Sequence, residues 1–186
     1  GYDDLVDRVG VEGDKLVDYP YLGANVYEEG TTTPALPEYA TYEVDGVTVG
    51  AIGVVTQETP SLVSPDGIEG LEFGDAAEAA DRVAAQLSDG DDSNGEADVV
   101  VLLAHAGGQG FGEDATYEQA IAATEADSEF QQLAGVSDDV DAIFNGHTHQ
   151  MYALRQPNGA PRGRAIVQAG QYGEAVGRVT LSYDRD

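Results

Sequence analysis

Asp98-Val99-Val100-Val101-Leu102-Leu103-Ala104-His105-Ala106-Gly107-Gly108 is the stretch on which the fold turns. The apolar run after Asp98 has no polar alternation, so the strand it forms must be covered on both faces, as inside a parallel sheet. The run stops at a histidine and opens into glycines. In α/β sheets the carboxyl ends of such strands are where ligands bind. Val47-Thr48-Val49-Gly50-Ala51-Ile52-Gly53-Val54-Val55 is another run apolar on both faces. It comes after Tyr42-Glu43-Val44 across Asp45-Gly46, a strong hairpin signal. Val140-Asp141-Ala142-Ile143-Phe144 is a shorter strand, ending at Asn145-Gly146-His147-Thr148-His149. Tyr19-Pro20-Tyr21-Leu22-Gly23-Ala24-Asn25-Val26 also reads as a buried strand.

Helices are expected between these strands. Asp75 is a candidate N-cap with Glu78 completing a capping box, opening a helix from Ala76 to Leu87 that Gly90 stops. A second helical region is expected around Tyr117 to Leu133, and Asp4 to Val9 resembles a helix end. Gly30 to Pro37 is a loop rich in Thr and Pro. Tyr152–Leu154, Ala165–Gln168 and Val176–Tyr183 read as antiparallel strands, with a turn at Pro157-Asn158-Gly159. Strands alternating with helices before a β-rich tail predict a layered α/β fold in a single domain.

The chain has 186 residues, eight of them Lys or Arg and 35 Asp or Glu, giving a formal charge of −27. Such a surface repels polyanions, which argues against nucleic acid and anionic membrane surfaces as partners. The acids are spread along the chain, as on a solvated, salt-tolerant surface. Asp89-Gly90-Asp91-Asp92-Ser93-Asn94-Gly95 approaches a calcium loop but lacks the closing acid, and reads as a flexible connector. No apolar run is long enough for a membrane helix, and no signal peptide is visible. Cysteine is absent, so any metal must be held by nitrogen and oxygen donors.

The three histidines are His105, His147 and His149, each at a junction between an apolar strand and a glycine-containing loop. In an extended backbone residues i and i+2 point the same way. His147 and His149 would then reach one metal together or each reach one of two, with Gly146 supplying a sharp turn. A lone strand-end histidine is ordinarily just hydrogen-bonded; three of them in this setting point to a metal site.

These residues resemble the calcineurin-like metallophosphoesterases. Leu103-Ala104-His105-Ala106-Gly107 is similar to their hydrophobic-x-H-x-G block, and Asn145-Gly146-His147-Thr148-His149 to their closing G-H-x-H block. Pro20–Val26, Val49–Thr56 with Thr59-Pro60, and Val167–Gly173 with Val176–Val179 resemble, in order, segments of the bacterial 5'-nucleotidase branch. The resemblance implies an α/β/β/α sandwich, present here in part. It also implies a site for two divalent ions, Zn, Mn or similar, where His105 and His147 ligate one ion and His149 the other. In the family a metal-activated water attacks phosphorus in line.

The family's earlier blocks, D-x-H, G-D and G-N-H-(E/D), carry a bridging aspartate, an asparagine ligand and a histidine that stabilises the transition state. Neither D-x-H nor G-N-H occurs in this sequence. Asn25 belongs to the later strand, not to the asparagine ligand position. Gly1-Tyr2-Asp3-Asp4-Leu5 resembles the family's segment immediately after the last of those blocks. The chain is therefore expected to be the C-terminal portion of a catalytic domain, without a nucleoside-binding C-terminal domain and without a catalytic residue of its own. By itself it should bind at most one ion, weakly, and be inactive.

The parent would hydrolyse phosphate esters of nucleotides outside the cytoplasm, at the cell surface or in the periplasm. Alternatives are a 2',3'-cyclic-nucleotide phosphodiesterase, a thiosulfohydrolase, or a scaffold that has lost its chemistry. Asn145 and Thr148 would either orient the histidine pair or serve turn chemistry. Gln109 and Phe111 are candidates for a loop facing substrate. Arg155, Arg162 and Arg164 are read as local ion pairs, with phosphate attraction as the alternative. An exposed sheet edge would permit self-association, which the charge opposes.

Overall fold

A computed structural model describes residues 19–157 and 163–184. The strands are β1 (Val26–Glu28), β2 (Tyr39–Val44), β3 (Val47–Val55), β4 (Leu71–Phe73), β5 (Val99–His105), β6 (Ala142–Asn145), β7 (Met151–Arg155) and β8 (Ala165–Ala169). Six of them form one sheet in the order β2-β3-β5-β6-β8-β7, and β1 pairs with β4 in a separate antiparallel ribbon.

The centre of the sheet is parallel. β3 runs beside β5 from Val49 against Val99 to Val55 against His105, β5 beside β6, and β6 beside β8. Antiparallel partners close both edges: β2 joins β3 through Asp45-Gly46, and β7 pairs with β8. Asp45 and Gly46 have φ of 51° and 74°, the signs a type I′ hairpin needs. The alternating burial of β7, with Tyr152 and Leu154 inside, fits an edge strand with one wet face.

The helix Ala76–Gln86 makes the crossover from β3 to β5. The Asp75 carboxylate accepts from the Glu78 N–H at 2.8 Å, the forward half of the expected box. Ala76, Ala79, Ala80, Val83 and Ala84 form its buried stripe at helical spacing, and small side chains let it lie close on the sheet. The core combines that stripe with Ile52 and Val54 of β3, Val100, Leu102 and Ala104 of β5, and Ile143 and Ile166 beyond. The expectation that β5 is covered on both faces is not met among the described residues: on the opposite face Leu103 is 44% exposed, on the same side of β5 as His105. Among the described residues, the expected layering is thus one layer of helices on one face of one sheet.

Four further expectations need correction. The helical region around Tyr117 to Leu133 is two helices, Tyr117–Ala123 and Glu129–Ala134. The first has a full capping box between Thr116 and Gln119. It ends where the Thr124 hydroxyl bonds back to the carbonyls of Ala120 and Ile121, and Asp127, at φ 59°, turns the chain. The segment from Tyr19 to Asn25 is not a strand; only from Val26 does the chain pair. The buried Asn25 side chain replaces a ladder there, donating to the carbonyls of Val55 (2.8 Å) and Gly74 (2.9 Å) and accepting from the Val55 N–H (3.0 Å). This amide is structural, in keeping with its exclusion as a metal ligand.

Val176–Tyr183 alternates like a strand but has no partner strand among the described residues, and Val176 is 94% exposed. Asp89–Gly95, expected as a flexible connector, is folded on itself. The Asp89 carboxylate accepts from the Asp91 N–H and the Asn94 amide, and Asp91 caps a 3₁₀ turn at Asp92–Asn94. Asp4–Val9 and the turn at Asn158-Gly159 lie outside the described residues.

Candidate metal centre

Adjacent parallel strands bring two of the three histidines together. β5 and β6 run side by side, with Ala104 against Asn145 at their carboxyl ends. The Gly146 N–H donates to the Ala104 carbonyl at 2.9 Å, so the loop after β6 starts beside His105. The rings of His105 and His147 lie with centroids 5.1 Å apart, at 57°. The His149 ring lies beside Tyr172, centroids 5.5 Å apart, and is still near enough to His105 to repel its charge.

The extended geometry expected for His147 and His149 is not what the chain adopts. His147 has φ 76° and His149 φ 58°, both in the left-handed region. The Thr148 N–H donates to the Gly146 carbonyl at 3.0 Å, which closes a γ-turn centred on His147. This positive-φ γ-turn is rare and strained for a side chain with a Cβ. The sharp turn therefore falls on the histidine and not on Gly146, whose φ is not positive. The His147 ring then lies beside that of His105 and the His149 ring beside that of Tyr172.

Hydrogen bonds hold this strained loop. The Asn145 amide donates to the Ala106 carbonyl (2.6 Å), and the Tyr152 hydroxyl donates to Asn145 Oδ1 (3.1 Å) while accepting from the Gly108 N–H (3.1 Å). Burial pushes the Tyr152 phenol up to about 12, so it stays protonated and can donate. The Thr148 hydroxyl donates to the Gly108 carbonyl (2.9 Å) and accepts from Gln168 Nε2 (2.9 Å), which also reaches the Gln150 carbonyl (2.9 Å). Asn145 and Thr148 thus lock the loops after β5 and β6 together and make no hydrogen bond to a histidine ring. Gly107 sits in the middle: a Cβ there would lie 2.6 Å from the Gly146 carbonyl and would strike Gln168 Oε1.

Burial lowers the pKa of His105, and repulsion from His147 and His149 adds to it. A depressed pKa keeps an imidazole neutral, the form a metal needs. Among the described residues, the carboxylate beside His147 is that of Glu58, its Oε2 3.8 Å from Nε2. Glu58 stands on a loop pinned by Glu129, which accepts from the Thr56 hydroxyl (2.7 Å) and the Gln57 N–H (3.0 Å). His147, Glu58, Gln109 and Ser128 line a cleft of about 860 Å³. Phe111, in contrast, packs its ring on Phe130 and Tyr152 at 5.8 and 5.2 Å.

The donor set fits a divalent ion in part. His105 and His147 are two nitrogen donors side by side, with a carboxylate near; among the described residues no three His, Asp or Glu side chains converge on one point. Arg164 is neither an ion pair nor free for phosphate. It is 2% exposed and its guanidinium donates to the carbonyls of Ala134, Val136, Ser137 and Val140 and to Gln156 Oε1. It therefore closes the carboxyl end of the helix Glu129–Ala134. Arg155 is on the exposed face of β7, and Arg162 lies outside the described residues. Tyr152, Gln168 and Glu129 were not singled out from sequence. Tyr152 in an alternating strand and Gln168 in a buried one carry no signal of what they hold, and Thr56–Glu129 pairs residues 73 apart.

No protein-family model matches the chain. It is 35% identical over 176 residues to Endonuclease YhcR of Bacillus subtilis, covering 95% of this chain and 13% of that protein. It is 34% identical to the cell wall protein Lmo0130 of Listeria monocytogenes (90% and 21%) and 26% identical to a 5'-nucleotidase of Vibrio cholerae (89% and 30%). Among solved structures, a Staphylococcus aureus protein assigned to the 5'-nucleotidases superposes with a TM-score of 0.58 at 26% identity, over 83% of this chain and 28% of that one. The chain thus spans less than a third of these relatives. With its blocks in their order, the chain is similar over most of its length to proteins named 5'-nucleotidases, and its strand arrangement is the fold of a calcineurin-like phosphoesterase.

Proposed function

We propose that this chain supplies one half of the metal centre of a phosphohydrolase acting on nucleotide phosphate esters outside the cytoplasm. The observation that carries it is the pairing of His105 with His147, at 5.1 Å, across the ends of two parallel strands. A fold under no functional demand would not place a histidine at the centre of a strained γ-turn beside another. His105 and His147 would hold one divalent ion and His149 would face a second, with the remaining ligands from outside this chain. When bound, such ions supply positive charge against the phosphoryl oxygens and lower the pKa of a water.

The chain's own residues do the rest. The Asn145–Tyr152–Gly108 and Thr148–Gln168 bonds fix where the imidazoles point, and neutral His105 offers its lone pair without first losing a proton. The 186 residues alone are expected to bind at most one ion weakly and to show little turnover. The test is phosphate release from AMP, with Mn²⁺ or Zn²⁺, by the full-length protein and by His147→Ala. A loss of about a hundredfold or more supports the reading; unchanged rates sink it.

A second reading comes from the Bacillus subtilis relative, which is named an endonuclease. It would make the substrate a nucleic-acid phosphodiester. The charge of −27 disfavours a polyanion, and plasmid cleavage compared with AMP hydrolysis at equal salt decides between them.

A further inference from the structure

Glu58 is presented by a tightly tied turn. The turn starts directly after β3, where the N–H of the buried Thr56 donates to the His105 carbonyl at 3.2 Å. The Glu129 carboxylate grips it from 73 residues away, accepting from the Thr56 hydroxyl (2.7 Å) and the Gln57 N–H (3.0 Å). The Glu58 N–H donates to the Thr56 hydroxyl at 3.2 Å, and the Glu58 carbonyl accepts from the Ser61 N–H at 2.8 Å. One backbone segment is thus tied to His105 and brings a carboxylate to His147, Glu58 Oε2 lying 3.8 Å from Nε2. The ring nitrogen beside the carboxylate is Nε2, which leaves Nδ1 for an ion.

We propose that Glu58 is a positioning residue, its carboxylate accepting the Nε2–H of His147 while Nδ1 holds a divalent ion. This rests on the metal-centre reading above. A histidine that ligates through one nitrogen donates from the other, and a carboxylate there fixes the tautomer and the plane of the ring. Asn145 and Thr148 do not fill that place: they tie loop to loop and bond to neither ring. The contact is about 1 Å longer than a hydrogen bond. Rotation about the Glu58 side-chain bonds closes the gap, because ligation through Nδ1 makes the Nε2–H a stronger donor.

The test uses the full-length protein as wild type, Glu58→Ala, Glu58→Gln and Glu125→Gln, in 1 M KCl to screen general charge effects. Glu125 lines the same cleft and controls for the loss of one carboxylate. Mn²⁺ affinity is read by titration calorimetry, and the metal-free proteins are compared by urea unfolding. In Glu58→Ala one binding step weakens about ten- to a hundredfold. Glu58→Gln, whose amide oxygen still accepts, falls between wild type and Glu58→Ala. Glu125→Gln stays within about twofold of wild type, and without metal it unfolds at the same urea concentration as Glu58→Ala. Unchanged affinity in Glu58→Ala overturns the proposal. So does an equal loss in Glu125→Gln, or a fall in metal-free stability confined to Glu58→Ala, which would make Glu58 a structural residue. AMP hydrolysis by the same samples separates the two readings. If no AMP is hydrolysed while Glu58→Ala still weakens Mn²⁺ binding, the phosphoesterase reading fails and the positioning role stands. If wild type binds no ion, both fail.

Discussion

Replacing His147 by glycine and by alanine should give two proteins equally poor in metal binding but different in stability. Both changes remove the imidazole. Only glycine removes the strain of φ 76° in the γ-turn closed by the Thr148 N–H and Gly146 carbonyl. A left-handed residue with a Cβ costs about 1–2 kcal/mol. Glycine gives back about 0.4–1 kcal/mol through the greater entropy of the unfolded chain. The difference leaves His147→Gly about 0.5–1 kcal/mol more stable than His147→Ala, or roughly 1–4 °C in Tm for a domain of this size. The assay is urea unfolding followed by circular dichroism, in 1 M KCl to screen the surface charge. Equal midpoints, or a less stable glycine variant, would refute the γ-turn and with it the claim that strain is held at the histidine.

The same structure predicts other outcomes. Arg164→Met strips partners from four buried carbonyls and should lower stability by about 3 kcal/mol or more with the urea m-value unchanged; a loss under about 1 kcal/mol would deny its capping role. Gly107→Ala forces the Gly146 carbonyl aside and should cost about 1–3 kcal/mol and weaken Mn²⁺ binding, measured by calorimetry. His105 titrates below an unperturbed imidazole. The stability it contributes is complete above the unfolded-state pKa and is lost as pH falls through the folded one, and a ring-proton NMR titration shows the midpoint. Raising KCl from 0.1 to 1 M shortens the screening length from about 10 to about 3 Å and should raise the unfolding midpoint.

Much of the architecture was legible because local chemistry decides it. Asp45-Gly46 takes a turn few other pairs allow, the apolar runs Val47–Val55 and Val99–Ala104 have to be interior strands, and Asp75 caps its helix. Sequence also located all three histidines at strand-to-loop junctions. What escaped it depends on partners distant in the chain. The Asn25 side chain completes the end of β3 from 30 residues away, so Tyr19–Asn25 need not pair as a strand. Val176–Tyr183 shows that alternation without a neighbouring strand makes no ladder. The γ-turn at His147 breaks the i, i+2 rule because Thr148 is anchored to Gly108 and Gln168, a bond pattern that period and propensity do not encode.

The most direct test of the centre is paramagnetic. Sub-stoichiometric Mn²⁺ is added to this chain in 1 M KCl, where its 35 scattered carboxylates are screened, and the histidine ring protons are followed by NMR. The account expects His105 and His147 to broaden together at the lowest metal concentrations, with Zn²⁺ displacing the effect. Broadening of neither ring while exposed acidic residues respond would contradict a shared site at the ends of β5 and β6.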